Sequence, residues 1–166
     1  MALLVEDGTG VANANSYVSV ANARVWVAAR GLSFTGTDNV VEQLLLLAMD
    51  LLETYRAQYR GGKTDPDQSL QWPRTGATLD RQLLEDDAIP ALLISAQVQL
   101  AYEAQSTLLQ PSGTGQEVLK EKVGPIETEY VPRGMTTIRP LFNKANSFLD
   151  PLLRGGSGYG LQTARA

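Results

Sequence analysis

Apolar residues recur every three or four positions through most of this chain, the period of a helix with one face turned inward, and β-type runs are confined to one short region. The densest stretch, Leu44 to Met49 followed by Leu51, Leu52 and Tyr55, makes a wide apolar face. Asp38 or Asn39 caps its start, with Glu42 three residues after Asn39 in capping-box spacing, so a helix is expected to about Gln58, ending before Gly61-Gly62. An earlier helix is expected over about Val20 to Arg30, started by a Ser19 cap and stopped at Gly31. A third, about Pro90 to Leu109, follows the acidic Glu85-Asp86-Asp87, which suits the helix dipole, and opens on a proline whose missing N–H costs nothing there. Its alanines 91, 96, 101 and 104 allow close approach and place it centrally. A last helix is expected over about Ile138 to Leu153, with Pro140 in its first turn and a break or kink at Pro151.

The intervening segments have different chemistry. Val5 to Tyr17, rich in Gly, Asn and Thr, reads as an extended arm or irregular lead-in, and residues 60–80 read as a long loop dense in Gly, Pro and Asp. Pro111 to Gly115 is a linker, after which Glu117 to Val123 and Ile126 to Val131 are β-branched runs separated by Gly124-Pro125, expected as two short strands. Gly155 to Ala166 has almost nothing to pack and should be mobile. The expected fold class is therefore mainly α: a small helical bundle with a short two-stranded β element and flexible N- and C-terminal arms. Residues 1–153 would form one domain and 154–166 a flexible tail.

Composition changes this picture by subtraction. The 166 residues include no histidine and no cysteine. Zinc, haem, iron–sulfur, thiolate and Ser-His-Asp chemistry lose their usual ligands and bases, leaving carboxylate, lysine or tyrosine chemistry. No cofactor, metal site or enzymatic activity is expected. The longest apolar run stops at Asp50, far short of the roughly 18 residues of a membrane span, and MALLVEDGTG does not resemble a signal peptide, so a soluble protein is expected. The formal net charge of −4 is uneven: residues 130–166 carry Arg133, Arg139, Lys144, Arg154 and Arg165 against Asp150 alone. An acidic body with a basic tail points to a tail that contacts something acidic.

Several stretches resemble known chemistry. Gly62-Lys63-Thr64 ends like a phosphate-binding loop, yet Ala57 stands where the first glycine is required, and a helix precedes it instead of a strand. Glu85-Asp86-Asp87 are adjacent and do not converge as paired catalytic carboxylates would, and Asp65-Pro66-Asp67 lacks the further ligands of a calcium loop. The most suggestive stretch interleaves aromatics with cations, Tyr55-Arg56, Tyr59-Arg60, Lys63, Trp72 and Arg74, as a single-strand groove does. Tyr55 and Tyr59, four apart on one helix, are equally placed for core packing. Asp65, Asp67, Trp72 and Arg74 are expected to pin the long loop, against either its own helices or a neighbouring copy.

Five pieces occur in a fixed order: Val5-Glu-Asp-Gly-Thr-Gly with Ala14-Asn-Ser-Tyr-Val18, Tyr59-Arg-Gly-Gly-Lys-Thr-Asp-Pro-Asp67, Gln71-Trp-Pro-Arg-Thr-Gly76, Ile89-Pro90 and Glu121-Lys-Val-Gly-Pro-Ile126. Together they resemble a family of tailed-bacteriophage head–tail adaptors, also called head-completion or connector proteins, some members of which are labelled DnaT-like single-stranded-DNA-binding proteins. The resemblance covers roughly residues 5–153. It implies a mostly helical virion protein, made in the host cytoplasm, that forms a ring of about twelve copies on the portal vertex at the head–tail interface. The implied partners are the portal protein, neighbouring copies, a neck or tail protein, and double-stranded DNA passing without sequence reading; no membrane is involved. Leu152, Leu153, Arg154, Tyr159, Leu161 and Arg165 are then expected to dock on the portal, the leucines and tyrosine as anchors and the arginines as steering charges. A DnaT-like single-strand-binding accessory is the alternative, and an enzyme or another binding module a third class.

Overall fold

A computed structural model describes residues 3–110, 120–123, 126–129 and 142–154. In chain order these form α1 (Val20–Ala28), α2 (Asp38–Glu53), β1 (Gly62–Lys63), β2 (Arg74–Thr75), β3 (Thr78–Leu79), β4 (Gln82–Leu83), α3 (Ala91–Glu103), β5 (Lys120–Val123), β6 (Ile126–Glu129) and α4 (Asn143–Leu149) with a 3-10 turn, Asp150–Leu152. The protein is thus a small helical one with minor antiparallel pairs, β1 with β2, β3 with β4 and β5 with β6. The chain divides into two compact units, residues 1–109 with 142–166, and residues 110–141.

In the first unit α3 is central, packing against α1, α2 and α4. Leu93, Ala96, Val98, Leu100 and Ala101 on it are buried, and Val41, Leu44, Leu45, Ala48, Met49 and Leu52 of α2 face it. The Ser19 cap forms as expected, its Oγ accepting from Asn22 N at 3.2 Å. The helix ends differ from the sequence reading for one recurring reason. After Glu53 the backbone bonds shorten from i−4 to i−3, Thr54 N donating to Leu51 O and Tyr55 N to Leu52 O, while the Thr54 hydroxyl also takes Leu51 O. The residues after Glu103 behave alike, with Gln105 N on Tyr102 O and Ser106 N on Glu103 O. Tightened turns, not continued α-helix, follow both.

Residues 60–84 hold more order than a loop. β1 and β2 pair Gly62 with Thr75 and Lys63 with Arg74, and β3 and β4 pair Thr78 with Leu83 and Leu79 with Gln82. Asp80 and Arg81 turn the second hairpin with φ of 50° and 67°, the left-handed conformation that a two-residue hairpin needs and Asn-Gly usually supplies.

The N-terminal segment is a correction to the sequence reading: it is packed, not a free arm. Ala14, Ser16, Tyr17 and Val18 are buried, Glu6 N donates to Ser16 O at 2.8 Å, and the Glu6 carboxylate accepts from Gly8 N and Gly10 N. Gln97 on α3 holds this segment in place. Its Oε1 accepts from Tyr17 N at 3.0 Å, while its Nε2 donates to Ser16 Oγ at 2.8 Å and to Leu45 O at 3.3 Å. A fully buried amide so paired ties the segment to both α2 and α3.

The second unit contains the β5–β6 hairpin, within the two expected strands, of which residues 117–119, 130 and 131 lie outside the described residues. Its register sets Lys120 opposite Glu129 and Lys122 opposite Glu127. Residues 138–141, expected to begin the last helix, lie outside the described residues.

Candidate nucleic-acid interface

The interleaved stretch from Tyr55 to Arg74 folds inward. Trp72 is 1% exposed and meets Tyr59, equally buried, edge to face at 6.0 Å between ring centroids. Trp72 N donates to Tyr17 Oη at 3.0 Å, and Tyr59 Oη donates to Leu52 O at 3.2 Å. Burial pushes both phenols up, Tyr17 well above the ordinary tyrosine range. These rings belong to the core and offer no face to a base.

Arg74 is buried too, donating through Nε to Arg60 O at 2.7 Å, through Nη1 to Gln71 O at 3.2 Å and through Nη2 to Gly61 O at 2.9 Å. Of the residues expected to pin the loop, Trp72 and Arg74 do so from inside this chain. Asp65 and Asp67 are exposed, and Asp65 Oδ1 takes Asp67 N in a local turn. The wider connection is made by Gln68, whose side chain takes Asp65 N and donates to Leu70 O and Pro73 O, with Lys63 Nζ on its carbonyl at 2.9 Å. No residue type or spacing singles Gln68 out in the sequence.

The residues expected to dock on a portal separate. Leu152 and Leu153 are buried in this chain's own core. Leu152 O accepts from Arg60 N at 3.0 Å and Leu153 bridges Tyr59, so these leucines close the first unit and present no apolar surface to a partner in this conformation. Arg154 is exposed and donates through Nη2 to Gly61 O at 2.7 Å. Tyr159, Leu161 and Arg165 lie outside the described residues.

A different aromatic and cationic cluster reaches the surface, built by α1 and α4. Trp26 is half-buried, its Nε1 donating to Ser95 Oγ on α3 at 3.2 Å and its ring meeting Phe148 edge to face at 6.3 Å. The Arg30 guanidinium carbon lies 3.5 Å from the Trp26 ring centroid, and Lys144 Nζ is 5.9 Å from it. Arg30 is held there by a bond from Nη1 to Trp26 O at 2.9 Å. Both cations are exposed, and among the described residues neither pairs with a carboxylate; the ion pair found there is Arg24 with Asp38. The signal was present: Lys144 and Phe148, four apart on α4, share one face, and Arg30, four after Trp26 in the turn that closes α1, folds back over its ring. That the two faces adjoin is a tertiary fact.

Chemically, the cluster combines two things that a single strand requires. A guanidinium plane over an indole extends the stacking surface outward, and two unpaired cations beside it neutralise phosphate. Among the described residues no group of three or more acidic side chains is gathered to hold a metal, and no helix is long and apolar enough to cross a membrane.

The whole chain, residues 1–166, matches the model of a family described as "Putative DnaT-like ssDNA binding protein", and it belongs to that family. No curated protein and no solved structure matches it.

Proposed function

We propose that this protein binds single-stranded DNA, with the surface formed by Trp26, Arg30, Lys144 and Phe148 as its contact. The carrying observation is a half-buried tryptophan flanked by two cations with no acidic partner among the described residues. The family description supports the same reading. The net charge of −4 limits the number of phosphates that can be held, so binding is local and modest in salt dependence. Stacking on indole and guanidinium planes is tolerant of sequence, because every base has a π-face.

The test is fluorescence anisotropy with labelled oligo-dT at about 0.1 M salt, together with Trp emission. Trp72 is buried, so quenching on binding reports Trp26. The double reversal Arg30→Glu with Lys144→Glu should weaken binding by tenfold or more, given about 1.5 kcal/mol for each charged contact, in a protein whose far-UV spectrum stays that of the folded wild type. Wild-type protein that binds no oligo-dT refutes the reading.

A second reading is that the protein is a structural head–tail adaptor of a tailed phage, ringed about a portal, with a neck or tail protein beyond it. The order of the motifs from Val5 to Ile126 supports it, as does the separately packed hairpin unit within residues 110–141, a part suited to contacting a neighbouring copy. Mass spectrometry of purified virions separates the two. Several copies per particle favour the adaptor; absence from particles removes it.

A further inference from the structure

Arg74 and Arg154 converge on one backbone oxygen, and Arg74 also bonds the neighbouring carbonyl, that of Arg60. Gly61 O accepts from Arg74 Nη2 at 2.9 Å and from Arg154 Nη2 at 2.7 Å, and Arg74 Nε sits on Arg60 O. Arg60 in turn donates from Nε to Leu153 O at 3.1 Å and from Nη1 to Thr78 Oγ1 at 3.4 Å. The Arg74 and Arg154 guanidiniums therefore share one acceptor, and among the described residues neither forms an ion pair with a carboxylate. Glu53, the acid whose field Arg74 feels, is engaged by Gln71 N at 3.3 Å and Gln71 Nε2 at 3.0 Å. Burial first, and the Arg154 charge second, lower the Arg74 pKa, the expected result of like charges sharing an acceptor.

The arrangement is built into the backbone. Gly61 has φ of +70°, and a Cβ there would lie 2.4 Å from Thr75 O and 2.8 Å from Ala77 N, so the position leading into β1 admits only glycine. Among the described residues, Nη2 of Arg60 and Nε and Nη1 of Arg154 meet no acceptor, on a half-buried and an exposed residue respectively. Arg74, with every nitrogen committed to the chain, contributes charge from behind.

The geometry points to a phosphate-binding site at Arg154, backed by the buried charge of Arg74, that takes a tetrahedral oxyanion from a DNA backbone or from free phosphate. As a second contact for a strand held at Trp26, it rests on the single-strand reading; as an oxyanion site, it does not. The spacing suits the first use: α4 and its 3-10 turn carry the chain roughly 14 Å from Lys144 to Leu152 at ordinary helical rises, with Arg154 two residues beyond, the reach of a short stretch of backbone.

The experiment compares wild-type protein, Arg154→Gln and Arg154→Lys in two arms. In the first, oligo-dT affinity is measured across a salt series. R154Q should bind on the order of tenfold more weakly and lose about 0.7 from the slope of log affinity against log salt, with R154K recovering most of the slope. In the second, the melting temperature is measured in inorganic phosphate against chloride of equal ionic strength. Phosphate should raise it for the wild type and not for R154Q. An unchanged slope in R154Q overturns the DNA source, and equal melting in the two salts overturns the free-phosphate source. A wild type that binds neither ligand refutes the site. Phosphate stabilisation without any oligo-dT binding upholds the site and fails only the single-strand reading.

Discussion

At the scale of single residues, the decisive groups are polar and buried. Gln97 joins Tyr17, Ser16 and Leu45 from the middle of an apolar helix, where an amide looks out of place in the sequence. Removing it strands the Tyr17 N–H inside the core, at about 1–3 kcal/mol, and leaves a cavity in the packing between α2 and α3. Gln97→Ala should therefore lower the unfolding free energy by about 2–4 kcal/mol in urea titration, whereas Gln43→Ala on the exposed side of α2 should stay within about 0.5 kcal/mol. Equal effects of the two would show that the Gln97 network has no special weight. The same burial misled a reading of Tyr59, Trp72 and Arg74 by residue type, because an aromatic and cationic stretch serves a core and a groove equally well until its exposure is known.

At the scale of elements, periodicity located the four helices of the described residues and β-branched runs the β5–β6 hairpin, while the C-terminal ends of α2 and α3 and the hairpins between them escaped both. The Asp80-Arg81 hairpin turn carries no glycine, so its sequence does not announce it. The N-terminal segment shows the reverse. Its glycines read as freedom, but Gly8 at φ of +105° lets the chain pass against Asp87, where a Cβ would lie 1.9 Å from the carbonyl oxygen. Gly8→Ala should displace the segment and cost about 1–3 kcal/mol. Hydrogen exchange should then quicken at Glu6 and Tyr17, whose amides bond Ser16 O and Gln97 Oε1, and remain slow in α2. Unchanged exchange at both amides would refute this account of the segment.

At the scale of the whole molecule, Tyr17 and Tyr59 make stability depend on alkaline pH. Burial raises both phenols in the folded state, so below about pH 10 folded and unfolded chains are equally protonated and the contribution is whole. Above it the unfolded chain ionises first. Stability should fall by about 1.4 kcal/mol per pH unit for each tyrosine, and Tyr59→Phe should reduce that slope by about half of the two-tyrosine total. Urea midpoints between pH 9 and 11 check this, and parallel slopes for wild type and variant would refute it.

The order of apolar and polar positions, with capping residues and glycine stops, determined by itself that this is a small helical protein with a late hairpin, because local periodicity and backbone sterics are local properties. Its lack of histidine and cysteine likewise limited its chemistry in advance. Which aromatics face outward was decided only in three dimensions. Tyr59 and Trp72 close onto each other under Tyr17, a residue more than forty positions away in sequence, while Trp26 comes to the surface beside Lys144 from the far end of the chain. Exposure is a sum over contacts distant in sequence, and the tertiary packing of α1, α3 and α4 sets that sum.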